Sequence, residues 1–152
     1  MQTFLPYADF AATAAVLDPH RLGKQRVEVL QVLRGLTVSG YGWRHHPAVL
    51  MWAGYEEALV CYGLHICATW LAGGRADTCA ASLIREIAER RGINGIRQQS
   101  KLLIAGELPP WLGNEGLHRS HRSALLRKDT EWYGKFFDGP SDLPYVWPKS
   151  DR

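Results

Sequence analysis

The chain has 152 residues, of which 46% are hydrophobic, and carries 18 Lys and Arg against 15 Asp and Glu, a net charge of +3 with a pI near 8.9. That apolar content excludes disorder as the dominant state, and the length predicts one domain over residues 1–152. The mild basicity is compatible with a nucleic-acid partner without being diagnostic of one.

Residues 1–7 read as extended, ending in a Pro6-Tyr7 turn, without the basic n-region or apolar run of a signal peptide. The alanine-rich stretch 8–17 predicts a short helix. Asp18 as cap and Pro19 at the first helical position open a helix to about residue 36. On it, Arg21, Lys24, Gln25, Glu28 and Gln31 share a polar face, and Leu22, Val27, Val29, Leu30, Val32 and Leu33 fill the rest. Glycines mark 37–46 as a loop whose tip is Trp43-Arg44-His45-His46. Pro47 opens a long helix to about residue 72, with Trp52, Tyr55, Leu59 and Tyr62 on one face and Gly73-Gly74 as its stop. Asp77 caps a helix that ends at Gly92. A short helix follows near 98–105, then a Pro109-Pro110-Trp111 corner. Asn114 caps a basic helix over 115–128, Thr130 caps a short aromatic one over 131–137, and the proline-punctuated tail 142–148 lies extended.

No alternating pattern predicts a strand, so the fold class is all-α: a compact single-domain helical bundle with extended N- and C-terminal segments. Cys61, Cys67 and Cys79, without a CxxC, read as small buried thiols of a reducing compartment. The apolar stretch 48–72 is interrupted by Glu56, Glu57 and His65, which favours a buried helix over a membrane span. A cytoplasmic, nucleoid-associated protein is expected.

Several clusters have chemistry to offer. Arg21 and Lys24 put cations near a helix N-terminus, against its dipole, which suits an anion in front of that end. Lys24 and Glu28 are one turn apart; an amine beside a carboxylate suits imine chemistry, and an ordinary solvated Lys–Glu pair is the alternative. Trp43, Arg44, His45 and His46 suit phosphate contacts and base stacking, or the capping of the next helix around a packed Trp43. His118, Arg119, His121, Arg122, Arg127 and Lys128 make a helix fit for a DNA backbone, or a solvated basic face. Tyr55 belongs to a core stripe with a smaller prospect of lining a base pocket. Adjacent or i, i+3 histidines without a third ligand do not make a metal site, and no motif for a nucleotide or other cofactor is present.

Five segments together resemble the pyrimidine-dimer DNA glycosylase family of the phage endonuclease V type: MQTFLPY at the start, RLGKQRVE at 21–28, GWRHHPAV at 42–49, LHRSHRSALLRKD at 117–129 and DLPYVWP at 142–148. The resemblance implies an all-helical, metal-free enzyme that cuts the glycosidic bond of a damaged base in duplex DNA and nicks the abasic site by β-elimination. It implies an α-amine nucleophile near the chain start, an acidic partner in the opening helix, arginines around that helix on DNA phosphates, and a flipped base. Matched without gaps, the family's catalytic glutamate falls on Gly23 and its second residue is Gln2, whose bulk keeps Met1 in place. The expected catalytic set is therefore Met1 or Lys24 as nucleophile with Glu28 as the carboxylate. Arg21, Gln25, Arg26, Arg44, His45, His46, His118, Arg119, His121, Arg122, Arg127 and Lys128 are expected on DNA, and Trp43 and Tyr55 at the base. The expected protein is a monomeric DNA glycosylase, with or without AP lyase activity. A DNA-binding module without catalysis and a small helical protein with an unrelated ligand are the alternatives.

Overall fold

Local capping sets the first elements. Asp9 accepts a hydrogen bond from the Ala12 N–H and starts α1 (Phe10–Val16). Asp18 does the same for the Arg21 N–H at the head of α2 (Pro19–Thr37), relieving donors that a helix start leaves unpaired. In the computed structural model, which describes residues 1–152, six further helices follow: α3 (Pro47–Leu50), α4 (Glu56–Ala72), α5 (Cys79–Arg91), α6 (Gln99–Ile104), α7 (Glu115–Lys128) and α8 (Thr130–Tyr133). No strand is present, as the sequence predicts. Asp77 accepts from the Cys79 and Ala80 N–H groups at the head of α5, and Asn114 accepts from Leu117 at the head of α7.

α2 and α4 lie along one another, with α1 against α4 and α5 against both. Their close approach passes through Gly63, where a Cβ would sit 2.6 Å from Val29 Cγ1 and 2.8 Å from Leu83 Cδ1. Only glycine fits there. Trp52, Tyr62 and Phe10 are fully buried at the centre of the core, and all three cysteines are buried and free. Burial pushes the Cys61 thiol up to about 11 and the Cys67 thiol up to about 12, so both stay protonated. No helix is long and apolar enough to cross a membrane.

Two expectations are corrected. The long helix from Pro47 is two helices, because Gly54 takes the left-handed region at φ +81° and Tyr55 leaves helical geometry at φ −125°. Asp129, not Thr130, caps α8: its carboxylate accepts from the Trp132 N–H, while the Thr130 hydroxyl donates back to Leu126 O.

α7 holds both ends of the chain. Residues 1–7 are bonded to it at His118, His121 and Arg122 and to α2 at Gln25 and Glu28. The tail is tied to it as well: the Leu143 N–H donates to Ser123 Oγ, the Val146 N–H to Ser120 Oγ, and Arg127 to Ser141 O.

Candidate active site

The polar face of α2 is covered at Gln25 and Glu28, where the N-terminal segment lies on it. Gln25 is 1% exposed; its Nε2 donates to Gln2 O at 2.7 Å and its Oε1 accepts from the Phe4 N–H at 2.9 Å. One turn on, Glu28 Oε2 accepts from the Gln2 N–H at 3.1 Å. The Thr3 N–H donates to Gln2 Oε1, Thr3 Oγ1 accepts from Trp52 Nε1, and Tyr62 OH donates to Phe4 O at 2.6 Å. A segment with no secondary structure of its own thus has its buried backbone groups satisfied by side chains, as burial requires.

Beside this contact lies a cavity of about 380 Å³, lined by Met1, Gln2, Lys24 and Glu28, with His20, Arg21, Lys128 and Tyr145 at its wall. Glu28 is its one acidic lining residue and the rim is cationic, the balance a polyanion would seek. Lys24 Nζ lies 3.5 Å from Glu28 Oε1, on a side chain 68% exposed, so the pair holds no fixed geometry. Arg21 is held by Asp18 at 3.0 Å. Burial raises the Asp18 carboxyl, but hydrogen bonds from Tyr133 and Arg21 outweigh it and hold the group below the ordinary carboxylate range. The Gln2 Nε2 amide is buried without a protein partner.

Met1, Lys24, Glu28, Arg21 and Lys128 therefore meet at one place. Gln25 lines it too, but as a strut under the N-terminal segment and not as an open DNA contact. Arg26 points away: it pairs with Asp77 at 2.5 Å and stacks on Trp70 at 4.4 Å. His118 and His121 are 2% and 1% exposed and bonded to Leu5, which removes them from any DNA surface. Arg122 donates to Pro6 O at 2.8 Å and to Glu115; with the exposed Arg119 it lines a second cavity of about 430 Å³ together with Tyr7 and Phe136. Arg127 is engaged with the tail. Tyr55 is buried and donates to Asp151, and neither it nor Trp43 lines either of these cavities.

The loop before α3 stays open. Arg44 and His45 are exposed and Trp43 is 46% exposed. His46 caps α3 by accepting from the Ala48 N–H at 3.0 Å, and its ring meets Trp43 and Trp147 edge-on. Burial and then the positive N-terminus hold His46 below its ordinary value, against Glu28, so this loop shares the field of the cavity. Trp147 leads on to Tyr145 at 5.5 Å, joining the loop to the cavity wall. His20, Gln2, Phe4 and Tyr145 were not among the expected site residues. The DLPYVWP motif was the one available signal for Tyr145, and nothing in it says where the tail returns.

A family model described as pyrimidine dimer DNA glycosylase matches residues 1–83, a span that contains α1, α2 and the catalytic candidates. No curated protein and no solved structure matches the chain.

Proposed function

This chain belongs to the pyrimidine dimer DNA glycosylase family, and from that premise we propose that it excises a damaged or modified base from duplex DNA through the Met1 α-amine, with Glu28 as the acidic partner. One observation carries the assignment: the Gln2 N–H donates to Glu28 Oε2 at 3.1 Å. This sets the only acidic group of the cavity one residue from the amine. In the proposed step the neutral amine attacks C1′ of the target nucleotide. The glycosidic C–N bond breaks and the base leaves with a proton. The sugar ring then opens, O4′ takes a proton, and C1′ and the amine nitrogen are joined as an iminium. Loss of a C2′ proton expels the 3′ phosphate and nicks the strand. A carboxylate at Glu28 suits these proton movements and steadies the positive charge that builds at C1′. The target base leaves the stack to reach the cavity. Arg21, Lys24 and Lys128 hold phosphates, and Trp43 with Arg44 and His45 lies along the same groove of DNA.

Borohydride reduction in the presence of duplexes carrying an abasic site, uracil, a thymine dimer or an alkylated base tests this. A covalent adduct on the peptide that begins at Met1 is expected, lost when the α-amine is blocked and kept in Lys24→Ala. An adduct on Lys24 moves the nucleophile there. Base release without an adduct makes the enzyme a monofunctional glycosylase, and salt-sensitive binding without release or adduct reduces it to a binding module.

A further inference from the structure

α7 contains two buried histidines that the chemistry above does not use. They stand at i, i+3 on one face of the helix and converge on a single residue, Leu5, which is fully buried. His121 Nδ1 accepts from the Leu5 N–H at 2.9 Å, and His118 Nδ1 lies 2.7 Å from Leu5 O. The other nitrogen of His118 fixes its tautomer: Nε2 accepts from the Gly113 N–H at 2.9 Å. Nδ1 therefore bears the proton and donates to Leu5 O. Both rings are neutral. A second proton on His118 would set its Nε2–H against the Gly113 N–H, and one on His121 would set Nδ1–H against the Leu5 N–H.

We propose that His118 and His121 are positioning residues for the reaction: as neutral imidazoles they grip both backbone groups of Leu5 and so fix the register of residues 1–7 that keeps the Met1 amine beside Glu28. Their part in catalysis rests on the function proposed above; the clamp itself does not. Residues 1–7 have no helix or strand to hold them in register. Gln25 and Glu28 bind from the α2 side, and the histidines close the opposite side from α7. The charged and titratable groups around the pair are Glu115 and Arg122 on α7 and Tyr145 from the tail, whose ring meets His121 at 5.8 Å. The N-terminal segment brings the Phe4 ring, and the turn before α7 brings a backbone N–H. No carboxylate is set to favour an imidazolium at His121. Burial, and then His118, press His121 down to about 3, and burial also lowers His118.

The sign follows. A group whose folded-state value is lowered from 6.5 to about 3 takes up a proton only on release, so acid favours release. Each pH unit below about 6.5 shifts the balance about tenfold towards the released segment through His121 alone. Amide hydrogen exchange on the full chain measures this without any variant. Between pH 6.5 and pH 5 the protection of the Leu5 amide, corrected for intrinsic exchange, should fall about 15-fold through His121, and more than that of Val60 in α4. His121→Asn keeps an acceptor at the Nδ1 position that does not titrate; it should flatten the fall and retain borohydride trapping. His121→Phe should lower the trapping rate at least tenfold at every pH with DNA affinity unchanged. The proposal is overturned by Leu5 protection that is flat with pH, by protection of Leu5 and Val60 falling equally, or by an Asn variant with the wild-type fall. Protection that behaves as expected in a protein that traps no abasic DNA supports the clamp and refutes the amine chemistry.

Discussion

Glu28→Gln separates a structural carboxylate from a catalytic one. The amide keeps the size of the side chain and an acceptor for the Gln2 N–H, now 3.1 Å away, and removes only the charge. The ion pair with Lys24 is worth little, since Lys24 is 68% exposed and 3.5 Å off; about 0–1 kcal/mol is the range for such pairs. Turning a charge-assisted hydrogen bond into a neutral one costs about 1 kcal/mol. The total, about 1–2 kcal/mol, lowers Tm by a few degrees in a chain of this size and leaves the protein folded at 25 °C. Loss of a group that moves protons in the transition state costs about 10²–10⁴ in rate, or about 3–5 kcal/mol. The second effect is the larger, so the two outcomes do not overlap. Borohydride trapping on an abasic duplex, with thermal melting and DNA affinity measured in parallel, reads both. We expect trapping to fall at least 100-fold while affinity is kept, since a negative charge has left a cationic cavity. Trapping within threefold of wild type would show that Glu28 only anchors the Gln2 N–H, and the catalytic assignment would fail.

Lys24→Ala should change stability by less than about 1 kcal/mol, as exposed ion pairs do, and leave the adduct on the N-terminal peptide; its disappearance would move the nucleophile to Lys24. Lys128→Ala should reduce the slope of log affinity against log salt by about 0.9, the signature of one phosphate contact, and an unchanged slope would take Lys128 off the DNA path. Trp43→Ala should weaken binding to an abasic duplex by about 1–3 kcal/mol if a base stacks there, with Trp43→Phe restoring most of it; equal losses in both variants would point to packing against His46 instead. Gly23→Ala places a Cβ 2.8 Å from the Trp70 ring and should cost about 1–3 kcal/mol of stability by overpacking, read as a lower Tm with trapping at 25 °C retained.

What the sequence could show was what is decided locally. Asp18 with Pro19 and Asn114 before Glu115 announce helix starts because the cap and the first turn are neighbours in the chain. The break at Gly54 was hidden, since a glycine inside an apolar stretch reads equally as a helical residue. Gln25 and Glu28 looked like a solvated face for the same reason that Arg21 and Lys24 did: periodicity tells which residues share a face and not what crosses it. The crossing segment, residues 1–7, is held from α2 and α7 by side chains 21 to 116 positions away, and such pairings leave no trace in local composition. His118 and His121 were counted with Arg119 and Arg122 as one basic surface. In the fold the helix turns the histidines inward to Leu5, ties Arg122 to Pro6 and Glu115, and leaves Arg119 and Lys128 exposed without a partner.

The same geometry bears on where a carboxylate can work in this family's opening helix. Positions 23 and 28 are five residues apart, about 140° around a helix, so they cannot serve the same cavity. Gly23 faces α4, where the Trp70 ring leaves no room even for a methyl group. A carboxylate there would be pressed against the Trp70 ring, and Gly23 does not line the cavity. Among the α2 positions that line the cavity, 20, 21, 24, 25 and 28, the only acid is Glu28. Its carboxylate accepts from the Gln2 N–H, which is why the proposed chemistry takes Glu28 as the partner of the Met1 amine. An amine on Met1 stands one residue further out than an amine on residue 2, and a partner further along α2 is what that displacement requires. Gly23→Glu should accordingly lower Tm by displacing the Trp70 ring and leave Glu28→Gln unrescued in a double variant shown by melting to be folded; a rescued double variant would mean that Glu28 is replaceable.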